Sequence, residues 1–71
     1  MTIGERAVEA IRARVKPGQT LKEELDRLDM TYETLKRWTC YNMNPSAYFL
    51  QQMVLNGYDI YYILTGERKH E

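Results

Sequence analysis

Seventy-one residues are enough for one domain, and a 44% hydrophobic fraction suits a small packed globule rather than a disordered segment. Ten basic and ten acidic side chains give zero net charge, so affinity for nucleic acid without sequence preference should be low. The single cysteine, Cys40, excludes an internal disulfide or a cysteine metal cluster, and the single histidine, His70, has no ligand partner.

The charge is uneven: residues 1–18 carry about +2, residues 19–30 about −2 and residues 31–50 about +1. No stretch reaches the length of a membrane span and no signal peptide is visible, so a cytoplasmic protein without a membrane partner is the expectation.

Thr2-Ile3-Gly4-Glu5 reads as a capping box, a threonine N-cap with a glutamate three residues on. Ile3, Ala7 and Ile11 then recur at spacing four, with Val8 and Val15 beside them, and predict a first helix with this stripe on the core. Glu5, Arg6, Glu9 and Arg12 fall on the side expected to face water. Lys16-Pro17-Gly18-Gln19 ends the helix, because proline disfavours helix at the residue before it.

Thr20-Leu21-Lys22-Glu23 is a second capping box, opening a helix from Leu21 to about Leu28 with Leu21, Leu25 and Leu28 on one face. Asp29-Met30-Thr31 has room only for a turn, and Asp29 is placed to take the left-handed conformation such a corner needs. Thr31 caps a third helix, Tyr32 to about Thr39, with Leu35 and Trp38 on one face. Two helices joined by so short a turn are a helix-turn-helix, whose second helix can enter a DNA major groove. The outward positions of that helix are Tyr32, Glu33, Lys36 and Arg37.

Thr39 to Asn44 is a loop, closed by Pro45. Ser46 is a good N-cap for a fourth helix, whose buried face is expected to be Phe49, Leu50, Met53 and Val54, and Asn56-Gly57 stops it. Asp59 caps a last helix, Ile60 to Leu64, which ends at Thr65-Gly66. The fold class is therefore all-α, five short helices within residues 1–66, followed by a solvated tail over 67–71.

Three motifs carry a resemblance to a known family. TYETLKRW stands where the phage-repressor and Cro-like helix-turn-helix domains have their recognition helix. NPSAYFL resembles that family's NP-S-x-x-x-L opening of helix four, and GYDIYYILTGE is similar to its closing G-V-S-x-D-x-L-L-T-G-E. The order and spacing match, and the resemblance covers nearly all of the chain. It implies a compact five-helix lambda-repressor-like domain with the helix-turn-helix at helices two and three. The chain differs from the family at Leu21, usually a glutamine that touches the DNA backbone, and at Glu24-Leu25, usually leucine-alanine. It also has Asp29 in place of glycine, its own sequence from Cys40 to Met43, and a longer loop before Thr20.

On that resemblance Thr31, Tyr32, Glu33, Lys36 and Arg37 match the recognition-helix positions. Lys36 or Arg37 could pair with guanine edges or phosphates, Tyr32 could meet a thymine methyl or a phosphate, and Glu33 could accept from cytosine N4. The helical pattern alone fits a solvated face of ordinary charges equally well. Lys22 could grip a phosphate near the start of helix two. Tyr41, Asn42 and Asn44 lie on the loop that in this family follows the DNA backbone, although a turn built from asparagines would use the same residues.

Trp38 belongs to the core rather than to base stacking, because it falls on the apolar face. Tyr62 aligns with the family's buried aromatic. Tyr58 and Tyr61 are expected nearer the surface, either as a homodimer contact or as cover for a thin core. Cys40 reads as a half-buried small side chain. No catalytic arrangement, cofactor motif or small-molecule site is visible. The expected function is a dimeric, sequence-specific regulator of transcription, more readily a repressor, acting on a double-stranded operator. The alternative is a protein-binding module on the same scaffold, an antirepressor or adaptor. Zero net charge, Leu21 and the acidic run Glu23, Glu24, Asp26 and Asp29 favour that alternative.

Overall fold

The computed structural model describes residues 1–68, and their regular structure is all helical. The helices are α1 (Ile3–Arg14), α2 (Leu21–Arg27), α3 (Tyr32–Cys40), α4 (Ala47–Leu55) and α5 (Ile60–Thr65). His70 and most of the expected tail lie outside the described residues.

The helices start where polar side chains satisfy their first N–H groups. Thr2 and Thr20 both form complete capping boxes, with Glu5 and Glu23 reaching back to the cap backbone. Thr31 and Asp59 accept from the backbone N–H of Thr34 and Tyr62. Ser46 has the extended backbone of a cap, but its side chain makes no capping bond, in contrast to the expectation.

Two helices end in the same way. After α2, Asp29 N–H bonds Asp26 O at 3.2 Å and Met30 N–H bonds Leu25 O at 2.9 Å. After α4, Gly57 N–H bonds Val54 O and Tyr58 N–H bonds Met53 O, each at 2.9 Å. These are Schellman motifs, in which the residue after the cap turns left-handed and the next one packs back on the helix. The left-handed residue is Asp29 at φ 58 in the first and Gly57 at φ 83 in the second.

α1 packs against α2, α3 and α5 and forms the centre of the fold. Its Ala7, Val8 and Ile11 are buried with Leu25, Leu28, Met30, Leu35, Trp38, Met53, Tyr58 and Ile63. Full burial of one such aliphatic side chain is worth about 1.5–3 kcal/mol. α1 lies tight against the end of α3 at Gly4. A Cβ there would lie 2.8 Å from Trp38 O and 2.9 Å from Met43 O.

Two arginines of α1 tie it to the ends of α5 and α4. Arg6, expected to face water, instead donates from Nε to Ile63 O at 2.8 Å and from Nη2 to Leu64 O at 3.2 Å. Arg14 donates to Asn56 O at 2.8 Å and to Gly57 O at 2.6 Å. Each guanidinium answers carbonyls at a helix C-terminus, where the backbone leaves acceptors unpaired and the dipole favours a cation. The buried face of α4 is narrower than expected. Met53 is buried and Phe49 and Leu50 are half-buried, but Val54 is 53% exposed because α4 packs chiefly on α5.

Candidate nucleic-acid interface

The candidate surface is built on α2, the Asp29 corner and α3. Leu35 and Trp38 anchor α3 in the core, and Phe49 meets the Trp38 ring edge-on at 5.9 Å. At 100° per residue this leaves Tyr32, Glu33, Lys36 and Arg37 outward, and all four are exposed. Among the described residues Lys36 and Arg37 have no ion pair. Glu33, Lys36 and Arg37 together leave this face with one net positive charge. It offers guanidinium and ammonium donors beside one carboxylate acceptor, the groups that read base edges in a major groove. Thr31 is also exposed, but its hydroxyl is engaged as the helix cap.

Lys22 is exposed on α2 but is not a free cation. Its Nζ lies 2.9 Å from Asp26 Oδ2, and that hydrogen bond and charge raise the ammonium's pKa above its ordinary value. The expected phosphate grip therefore has to compete with an internal partner. Tyr41, Asn42 and Asn44 are exposed in the loop after α3, with Asn42 left-handed at φ 52. Met43 N–H donates to Arg37 O at 3.1 Å and folds the loop back on α3. Cys40 is exposed rather than half-buried.

At the opposite end the expectation for Tyr58 is corrected. Tyr58 is 7% exposed, and its hydroxyl donates to Glu24 Oε2 at 2.6 Å. Burial first, and then the Glu24 carboxylate, push the phenol far above the usual tyrosine range. The Arg14 guanidinium covers the ring 4.2 Å from its centroid. Tyr58 is thus a core residue and cannot serve as a surface contact. Its packing follows from the Schellman motif, which turns the residue after Gly57 back onto Met53. Tyr62 is half-buried, with its hydroxyl on Glu9 Oε1 at 2.8 Å and Arg68 over its ring. Tyr61 is 47% exposed, in line with the expectation.

Two features of this region escaped the sequence reading. Glu24, counted with the acidic run, is 2% exposed. The signal was present, since Glu24 lies three residues after Leu21 and four before Leu28, on their stripe. Tyr48 donates to Asp29 Oδ2 at 2.6 Å across nineteen residues, a pairing with no local sequence signal. Among the described residues no cluster of three His, Cys, Asp or Glu side chains could hold a metal ion. Among the described residues, too, no helix is long and apolar enough to cross a membrane. Comparison with family models, curated proteins and solved structures finds no match to the chain.

Proposed function

We propose that this chain is a sequence-specific, double-stranded DNA-binding domain of a lambda-repressor-like transcriptional regulator, more readily a repressor. The observation that carries the reading is the two-sided α3. Leu35 and Trp38 fix it in the core behind a tight corner, while Tyr32, Glu33, Lys36 and Arg37 stand exposed on its other side. In this reading α3 lies in the major groove, and Tyr41, Asn42 and Asn44 meet the adjacent phosphates.

The regulator acts as a homodimer, with two copies of α3 in successive major grooves about 34 Å apart. With Tyr58 in the core, the dimer contact moves to Val54, Leu55, Tyr61 and Leu64, all exposed on α4 and α5. Val54 and Leu55 belong to a stretch, Trp38 to Tyr58, that holds no Asp, Glu, Lys or Arg, so their half of a two-fold contact brings few like charges together.

The second reading, a protein-binding module on this scaffold, is favoured by the Lys22–Asp26 pair and by zero net charge. Chemical-shift mapping at low salt against duplex enriched by selection from a random pool separates the two. The regulator reading predicts perturbed amides over residues 31–37 and 41–44. Perturbation confined to α4 and α5, or none at low salt, would favour the module.

A further inference from the structure

The two Schellman ends pose a chemical question. Gly57 takes the left-handed conformation with no Cβ in the way, whereas Asp29 takes it against a steric cost. Glycine would serve the turn better, so the carboxylate at the corner needs a reason of its own.

The carboxylate has a partner. Tyr48 Oη donates to Asp29 Oδ2 at 2.6 Å, and this hydrogen bond is the largest cause raising the phenol's pKa. Tyr48 lies in the first turn of α4, immediately beyond the Tyr41–Pro45 loop. The near end of that loop is fixed, because α3 is anchored by Trp38 and Met43 N–H bonds Arg37 O. The far end closes on the buried Pro45 and passes into α4, whose larger packing partner is α5 rather than α3. Two ties hold the first turn of α4 against the α2–α3 pair. One is a chain of edge-on rings, Tyr48 to Phe49 at 5.3 Å and Phe49 to Trp38 at 5.9 Å. The other is the Tyr48–Asp29 hydrogen bond, which runs to the corner itself.

We propose that Tyr48 and Asp29 are positioning residues for DNA binding: their hydrogen bond latches α4 to the α2–α3 corner and holds Tyr41, Asn42 and Asn44 against the phosphate backbone. The inference rests on the regulator reading. Asp29 then stands at a glycine-like position because its carboxylate is the acceptor of the latch. Phosphate contacts position a protein without reading sequence, so the latch governs affinity and leaves base preference alone.

The test measures duplex affinity and thermal stability for the native full chain and three variants. Tyr48→Phe removes only the hydroxyl and keeps the ring contact with Phe49. It should weaken binding about three- to tenfold, the scale of one lost hydrogen bond. The loss should be equal on a selected operator and on random duplex. The salt slope should not change, because the loop side chains are uncharged. Asp29→Asn and Asp29→Gly are matched in charge and differ in the acceptor. The glycine variant should bind about three- to tenfold more weakly than the asparagine variant, yet melt at the same or a higher temperature. A role limited to holding the fold would move stability and affinity in the same direction. Equal binding by Tyr48→Phe and the native chain, equal binding by the two Asp29 variants, or a changed operator-to-random ratio would overturn the latch and leave the regulator reading standing. A native chain that binds no duplex removes both.

Discussion

The Tyr58 hydroxyl donates a 2.6 Å hydrogen bond to Glu24, joining the α4–α5 turn to α2 inside the core. The carboxylate has one further partner, Arg27, at 3.5 Å. A buried carboxylate is costly to leave unsatisfied, so this bond matters more than its own net strength.

Tyr58→Phe should therefore destabilise the chain by about 1–3 kcal/mol, the penalty for stranding a buried acceptor. In a domain of this size that lowers Tm by roughly 4–8 °C per kcal/mol. Adding Glu24→Leu to Tyr58→Phe removes the stranded charge and should recover most of the loss. Thermal unfolding of both single variants and the double variant checks the sign of the coupling. Additive losses would show that the bond contributes little.

Gly4→Ala tests the approach of α1 to α3. In an exposed helix interior the change would add about 0.5–1 kcal/mol of stability, because alanine is the better helix former. Here the new Cβ meets backbone oxygen atoms of Trp38 and Met43 below 3.0 Å, and neither can rotate aside. The expected result is a loss of about 1–3 kcal/mol by denaturant unfolding, the cost of overpacking.

The capping box at Thr2 predicts an acid limb. The Glu5 carboxylate accepts from the Thr2 backbone N–H at 2.8 Å, and that bond, above all, holds its pKa below the ordinary value of 4.5. A group whose folded pKa is depressed stabilises the fold above its unfolded pKa and loses that contribution as pH falls through the folded one. Glu5→Gln should thus melt below the native chain at neutral pH, and the gap should close as pH falls below about 4.5. Parallel melting curves at every pH would contradict the assignment.

The order of the helices was legible because their starts and stops are written locally. Thr2, Thr20, Thr31 and Asp59 each reach a backbone N–H three residues on, and Gly57 and Gly66 take the left-handed turns that follow α4 and α5. Asp29 was legible for the same reason, since a three-residue corner leaves few alternatives. Partners distant in the chain were not legible. Arg6 reaches Ile63 across fifty-seven residues, and Tyr58 reaches Glu24 across thirty-four. A polar side chain on a helix looks solvated until the fold supplies its acceptor. The candidate surface sits between these cases: helical spacing alone puts Tyr32, Lys36 and Arg37 outward, but the pairing of Lys22 with Asp26 and of Tyr48 with Asp29 emerges only in three dimensions.

The central claim is that α3 reads DNA. The most direct measurement selects binders from randomised duplexes at low and moderate salt, using the native chain and a Lys36→Ala, Arg37→Ala double variant. The account predicts an enriched motif of two-fold symmetry with half-sites about one helical turn apart. The double variant should lose it. With Lys36 and Arg37 as the cations that α3 of each copy brings to the DNA, log affinity should fall against log salt with a slope of about −4 for the two-fold pair. A folded native chain that enriches no motif at either salt would contradict the claim, and Val54, Leu55, Tyr61 and Leu64 would then be the surface on which to seek a protein partner.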